Sequence, residues 1–76
     1  MLILRPGCES CDRDLPADSA DALICSFECT FCRACAERLH RRCPNCAGDL
    51  VRRPIRPPEA LARHPASTLR VHRPLA

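Results

Sequence analysis

Eight cysteines in closely spaced pairs constrain this 76-residue chain more than any other feature of its sequence. Their pattern is C-x2-C-x13-C-x3-C-x2-C-x2-C-x7-C-x2-C. A Cys-x2-Cys turn offers two sulfur atoms on one side of a tight loop, and two such turns supply the four soft ligands of a tetrahedral Zn²⁺ site. Four pairs of cysteines therefore predict two zinc ions per chain, held in closed structural sites.

The rest of the composition agrees with a fold that depends on metal. A chain this short buries too little surface to be stable without a disulfide, a metal or a partner, and it has no Trp and no Tyr. The apolar run Met1–Leu4 stops at Arg5-Pro6-Gly7, which makes it too short for a signal peptide or a membrane span. We therefore expect a cytoplasmic protein without membrane contact, whose thiolates bind metal instead of forming disulfides.

The spacing leaves open which pairs of cysteines share a metal ion. The two central pairs could form one site, which would place all four ligands close together in sequence. A sequential coupling would join the first pair to the second, and an interleaved coupling would join the first pair to the third. All three couplings supply four sulfur ligands to each ion, so the cysteine pattern does not choose between them.

The cysteine pattern from Cys8 to Cys46 resembles that of RING fingers, whose eight ligands alternate between two metal ions in a cross-brace. The match includes Phe31 immediately before Cys32, and it departs at Cys29, where most RING fingers have His. The resemblance implies a small metal-stabilised α+β fold of the treble-clef type, with a short β-hairpin and one helix. It also implies two interleaved ligand sets, which are Cys8, Cys11, Cys32 and Cys35 for site 1 and Cys25, Cys29, Cys43 and Cys46 for site 2.

The whole chain is also similar to a small bacterial family of cysteine-rich proteins catalogued as domain of unknown function 1272. Three stretches carry this resemblance, namely RPGCESCDRDLP, ICSFECTFC and CPNCAGDLVRRP. The resemblance implies an independent short protein, and it implies no activity because the family has none assigned.

The sequence divides into two parts of different composition. Residues 1–51 hold every cysteine and most large apolar residues, so they are expected to form the RING-like two-zinc module. Within it, short strands are predicted around the second cysteine pair, a helix from about Arg33 to Arg41, and a closing strand at Leu50-Val51. Residues 52–76 contain five of the eight prolines and no cysteine, and this Arg- and Pro-rich C-terminal tail is predicted to be mobile.

Charge is distributed unevenly between these parts. All twelve basic residues are Arg; residues 1–50 carry six of them against eight acidic residues, a net −2, and residues 51–76 carry six against one, a net +5. Two Zn(Cys)₄ sites add −2 each, which takes the module to about −6. The tail is therefore expected to engage an acidic partner, or alternatively the module's own acidic surface. The candidate partner-binding residues are Arg38, Arg41, Arg42, Arg52, Arg53 and Arg56.

These features favour a non-catalytic zinc-binding adaptor whose partner is a protein. Closed all-cysteine sites leave no open metal position for a water molecule, so neither an enzyme nor a small-molecule substrate is expected. The alternative is a regulatory zinc finger that binds nucleic acid through its arginines, although we expect no exposed aromatic side chain for base stacking.

Three further functions are less favoured. Ubiquitin ligase activity fits poorly because Ser10 and Ala47 stand where RING ligases usually carry an apolar and a basic residue. An iron–sulfur protein would resemble the run Cys29–Cys35 followed by Cys43-Pro44, but the last gap is x7 instead of x3. Zinc sensing or storage is weakened because buried four-coordinate thiolates are inert.

Overall fold

The sheet at the centre of the molecule is antiparallel and has three short strands within residues 2–73, the part of the chain that the computed structural model describes. Its strands are β1 (Ala22–Ile24), β2 (Thr30–Cys32) and β3 (Val51–Arg52), in the order β2-β1-β3. Leu23 of the central strand pairs with Phe31 on one side and Arg52 on the other. The β1–β2 hairpin predicted from the sequence is confirmed, and its turn carries Cys25 and Cys29.

Helix α1 (Arg33–Arg38) follows β2 without a loop and buries Cys35 and Ala36. The sequence predicted a helix that continues to Arg41. It ends earlier because His40 and Arg41 both adopt the left-handed conformation, with φ of 55° and 56°. The Arg41 N–H donates to the carbonyl oxygen of Ala36 at 2.8 Å, which closes the end of the helix.

Cysteine side chains form a large part of the core. The sheet contributes Leu23 and Phe31, and the flanking loops contribute Leu15 and Leu50; each is at most 3% exposed. The buried cysteines that pack with them are Cys8, Cys25, Cys32, Cys35 and Cys43. Because so much of this core is thiol, hydrocarbon burial alone leaves the fold with little stability.

A second helix, α2 (Pro58–Arg63), lies in the tail and buries none of its residues. Pro57 and Pro58 start it, since a proline at the first helical position loses no hydrogen bond. The sequence predicted at most a helical turn here and one helix overall. Neither helix in the described part of the chain is long and apolar enough to cross a membrane. The predicted α+β class is confirmed, with α2 as an additional element.

Arg53 is buried beside the sheet and is 1% exposed. Its guanidinium donates to the carbonyl oxygens of Arg5 at 2.9 Å, Leu15 at 3.3 Å and Pro16 at 3.0 Å. Among residues 2–73 no carboxylate pairs with it, and burial lowers its pKa. The structure therefore corrects the prediction that Arg53 lies on a partner surface, because its buried side chain joins the segment at Arg5 and the loop at Leu15 to the residue that follows β3.

The tail follows the N-terminal segment instead of pointing away from the module. Arg56 donates to the carbonyl oxygen of Leu2 at 2.6 Å and to that of His64, so this candidate partner residue is also engaged internally. Further along, the Ser67 N–H donates to the carbonyl oxygen of Leu4 at 3.0 Å. The mobility of the tail stays a prediction, but these contacts correspond to the alternative in which the tail folds back onto the module.

Candidate metal centre

The first and last cysteine pairs are built on the same backbone turn. In the first, the Asp12 N–H donates to the Cys8 carbonyl at 2.9 Å, and in the last the Ala47 N–H donates to the Cys43 carbonyl at 2.8 Å. The residue that follows the second cysteine is left-handed in both turns, with φ of 62° at Asp12 and 63° at Ala47. Each turn holds its two sulfur atoms on one side although neither uses glycine, the residue that this conformation favours.

Replacing Ala47 by Gly is expected to stabilise the metal-loaded protein by about 1 kcal/mol, since glycine adopts the left-handed conformation without steric cost. The matched control is Ala34→Gly, the same change at an exposed position of α1, which should cost about 1 kcal/mol of helix stability. Thermal unfolding of both variants measures the difference. A lower melting temperature for Ala47→Gly than for the wild-type protein would contradict the inference that the left-handed backbone at Ala47 is strained.

The sulfur atoms of the first cluster converge from the first turn and from the junction between β2 and α1. The Sγ atoms of all four cysteines lie within 4.8 Å of one another, and those of Cys11 and Cys32 are 3.7 Å apart. Cys11 is exposed, whereas the other three residues are buried. The members of this cluster are Cys8, Cys11, Cys32 and Cys35, which is the ligand set predicted for site 1.

The second cluster joins the hairpin turn to the last cysteine pair. The Sγ atoms of Cys25, Cys43 and Cys46 lie within 4.8 Å of one another. Cys29, the fourth predicted ligand, is outside this group, although its side chain contacts that of Cys25 and accepts a hydrogen bond from the side-chain amide of Asn45 at 3.4 Å. The cysteines therefore group alternately along the chain, into a set of four and a set of three that could each hold a metal ion.

All eight cysteines lie within the described residues, and all are free thiols. Burial raises the pKa of Cys35 to about 12, although a hydrogen bond from Ser10 opposes it, and burial also raises the pKa of Cys43 to about 12. Burial would likewise raise the pKa of Cys25, but hydrogen bonds from the backbone at Cys29 and Phe27 lower it to about 7. Sulfur atoms packed this closely repel one another as thiolates unless a cation lies among them.

Backbone N–H groups point at the sulfur atoms of the second cluster. Phe27 donates to the Sγ of Cys25 at 3.3 Å, Asn45 to that of Cys43 at 3.4 Å, and Gly48 to that of Cys46 at 3.4 Å. Each donor lies two residues after its cysteine. These bonds orient the sulfur atoms and favour the charged thiolate, as the hydrogen-bonding groups around metal ligands do.

Glu9 is a residue of the site that the sequence did not predict. Its carboxylate is buried between the two clusters, where it accepts from the Thr30 N–H at 3.0 Å and from the side-chain amide of Asn45 at 3.4 Å. The Arg5 guanidinium lies 3.7 Å away. No sequence pattern distinguishes this buried glutamate from the exposed acidic residues near it, so its role in the site could not be predicted.

Four of the six predicted partner-binding arginines are exposed. Within residues 2–73 none of these four forms an ion pair. They are Arg38, Arg41, Arg42 and Arg52. The remaining two, Arg53 and Arg56, donate to backbone carbonyls of the module as described above. Phe27 is 74% exposed, so the expectation of no exposed aromatic side chain is wrong.

Comparison with known proteins places the chain in a family. Residues 1–56 match the model of a family described as "Protein of unknown function (DUF1272)", a range that contains both cysteine clusters. An uncharacterized protein of Rhizobium meliloti (strain 1021) is 65% identical over 75 residues, which cover 97% of this chain and 89% of that protein. No solved structure matches the chain. The similarity to the Rhizobium protein thus extends beyond the family region into the tail.

Proposed function

This chain belongs to the DUF1272 family, and from its site we propose that it is a non-catalytic adaptor module. In this proposal each cysteine cluster holds one structural Zn²⁺ ion, and exposed arginines at the end of α1 bind an acidic protein partner in the cytoplasm. The observation that carries the proposal is the convergence of the cysteines into two closely packed sulfur clusters, beside a group of arginines that form no ion pair within residues 2–73.

Zinc fits the first cluster well. A tetrahedron with Zn–S bonds of about 2.3 Å has sulfur–sulfur edges of about 3.8 Å, and the Cys11 and Cys32 sulfur atoms are 3.7 Å apart. An iron–sulfur cluster is larger than a single ion and would need its ligands further apart. The all-sulfur donor set also suits zinc better than magnesium or calcium, which prefer oxygen ligands.

The same geometry supports a structural role for the metal. Four cysteines in the first cluster would fill every position of a tetrahedral ion, whereas catalytic zinc sites keep one position open for water. For the second cluster we propose Cys29 as the fourth ligand, because its side chain already contacts Cys25. Zinc bound in this way supplies cross-links between distant segments rather than reaction chemistry.

The proposed partner surface is an arginine ridge formed by Arg38, Arg41 and Arg42. Its backbone is fixed by hydrogen bonds from Arg42 N–H to the Leu39 carbonyl at 3.1 Å and from Leu50 N–H to the Arg41 carbonyl at 2.8 Å. The three guanidinium groups are therefore presented from a well-anchored turn next to Cys43. Arginine guanidinium groups bind carboxylates in bidentate geometry, which suits an acidic protein as the partner.

Nucleic acid is the second candidate, and Phe27 is the observation that favours it. This side chain is 74% exposed in the hairpin turn, where it could stack on a base. Arginine forks bind phosphate as well as carboxylate, so the ridge suits both partners. The two candidates differ in whether binding depends on the aromatic ring.

Replacing all three ridge residues by Gln is expected to weaken binding of an acidic peptide by at least about tenfold, because the charge-assisted hydrogen bonds are lost. Fluorescence anisotropy of a labelled Asp/Glu-rich peptide measures this with the zinc-loaded full chain. The control replaces three other exposed arginines by Gln, namely Arg13, Arg63 and Arg73. It removes the same charge and should change affinity by less than about threefold.

Equal losses in both triple variants would show that net charge acts without a specific surface, which would contradict the ridge. Tighter binding of a DNA strand that carries the same number of charges, together with a loss of that binding in Phe27→Ala, would favour the nucleic-acid candidate.

A further inference from the structure

Residues 67–73 of the tail lie across the first cysteine turn. Residues 67–73 form this C-terminal strap, in which the Ser67 N–H donates to the Leu4 carbonyl at 3.0 Å and the Arg73 N–H donates to the Glu9 carbonyl at 2.6 Å. The strap therefore runs beside residues 4–9 in the same direction. It lies outside residues 1–56, which match the family model, and it touches the turn that carries two ligands of the first cluster.

One side chain makes most of the strap's polar contacts. The Arg70 guanidinium donates to the Asp12 carboxylate at 3.0 Å and to the Asp12 carbonyl at 2.7 Å. It also lies 2.9 Å from the Asp14 carboxylate and 3.5 Å from the Pro6 carbonyl. Hydrogen bonding to Asp12 raises the pKa of Arg70 further above its usual range. The guanidinium thus contacts residues on both sides of the turn that bears Cys11.

Gly7 gives this guanidinium room to approach the backbone. A Cβ atom at Gly7 would lie 2.6 Å from the Nη2 and 2.9 Å from the Cζ of Arg70, which is closer than atoms can pack. Glycine is not required there by its own backbone, since its φ lies outside the left-handed region. The absence of a side chain at Gly7 instead allows the Arg70 guanidinium to lie against the backbone.

The strap lies next to the exposed ligand of the first cluster. Cys11 is exposed, whereas its three companions are buried, so Cys11 is the sulfur that a competing chelator would displace first. The strap holds Glu9 on one side of this cysteine and Asp12 on the other. A bound Zn(Cys)₄ centre carries a net charge of −2, which a neighbouring guanidinium further stabilises.

We infer that the strap is a metal-retention element, and that Arg70 must release the turn before Cys11 can leave the bound ion. In that exchange a donor atom of the chelator replaces the Cys11 thiolate on the metal, and the freed thiolate takes a proton from solvent. The inference rests on the zinc sites of the proposed function and is independent of any partner. Because the Arg70 side chain is 38% exposed and that of Asp14 86% exposed, salt weakens the strap.

The test is zinc release from the fully loaded chain into an excess of a colorimetric chelator, with cadmium NMR of the metal-substituted protein to assign each phase to a cluster. Arg70→Ala should speed release from the first cluster by about fivefold at low salt, and much less at about 0.5 M salt. The matched control is Arg63→Ala, which removes the same charge from α2 and should leave both release rates unchanged.

Gly7→Ala provides a second variant that keeps the charge of Arg70 and displaces its guanidinium. It should also speed zinc release from the first cluster. In the Gly7→Ala, Arg70→Ala double variant it should cause no further acceleration, because the guanidinium that the new Cβ atom would clash with is absent. Fully additive effects of the two substitutions would overturn the inference. It would also be overturned if Arg70→Ala released zinc at the wild-type rate, or if that substitution accelerated zinc release equally from both clusters.

Metal content measured before the release experiment separates this inference from the proposed function. Fewer than two zinc ions in the wild-type chain would refute the proposed sites. Two zinc ions with release that is insensitive to Arg70 would refute the strap alone.

Discussion

Removal of metal by a strong chelator under reducing conditions is expected to unfold this chain. Its strands and helices are two to six residues long, and such short elements do not persist without tertiary contacts. Structural zinc contributes about 10–16 kcal/mol in small zinc fingers, which exceeds what this thiol-rich core supplies by hydrocarbon burial. Metal binding should therefore provide most of the folding free energy.

Two-dimensional amide NMR measures this result. The zinc-loaded protein should give dispersed signals that collapse on chelation and return with two equivalents of Zn²⁺. Binding releases thiol protons, notably at Cys35 and Cys43, whose pKa burial raises to about 12, so zinc affinity should fall as pH falls. As a control for site identity, Cys8→Ser and Cys43→Ser should each lose a different metal ion. A folded, dispersed spectrum in chelator would contradict the prediction.

Replacing Arg53 by Ala should destabilise the zinc-loaded protein by at least about 3 kcal/mol. The substitution leaves a cavity and removes the guanidinium that donates to the carbonyl oxygens of Arg5 and Leu15. The Pro16 carbonyl also loses this donor but keeps the hydrogen bond from the Ser19 N–H at 2.9 Å. Relief of the desolvated charge offsets part of this loss, but the cavity and the two carbonyl oxygens left without a donor outweigh it.

The neighbouring residue provides the control for this experiment. Arg52 is exposed in β3, directly before Arg53, and Arg52→Ala should change the free energy of unfolding by less than about 0.5 kcal/mol. Chemical unfolding of both variants at saturating zinc measures the difference. Similar midpoints for the two variants would show that the Arg53 hydrogen bonds contribute little.

The pair Arg52 and Arg53 illustrates what the sequence could not predict. Both are arginines at the start of a polar segment, and β3 is too short to show the alternation that would assign one of them to the interior. The contact between Arg70 and Asp12 spans 58 residues, and no local pattern encodes it. The tail was therefore predicted to be mobile from its composition, although the side chains of Arg53, Arg56 and Arg70 hydrogen-bond to the module.

The cysteine clusters were more predictable because their spacing is itself the structural signal. Each Cys-x2-Cys turn supplies two of the four ligands of an ion, so the spacing predicted two clusters. The resemblance to RING fingers supplied the interleaved ligand sets. The structure brings together all four cysteines of the first set and three of the four in the second. The length of α1 was overpredicted, since the left-handed conformation of His40 and Arg41 is not marked by glycine. Helix propensity carries no information about such a reversal.

The alternation of the clusters along the chain also orders events during synthesis. A chain leaves the ribosome from its N-terminus, so the first cluster can be completed when Cys35 emerges, while the second waits for Cys46. The strap follows later, because Arg70 comes after both Cys35 and Cys46 in the sequence. A nascent chain would thus meet its first metal ion with the Cys11 turn still uncovered, and the guanidinium would arrive only after that ion is in place. The order of the sequence thus separates metal binding by the first cluster from the later formation of the strap that retains the metal.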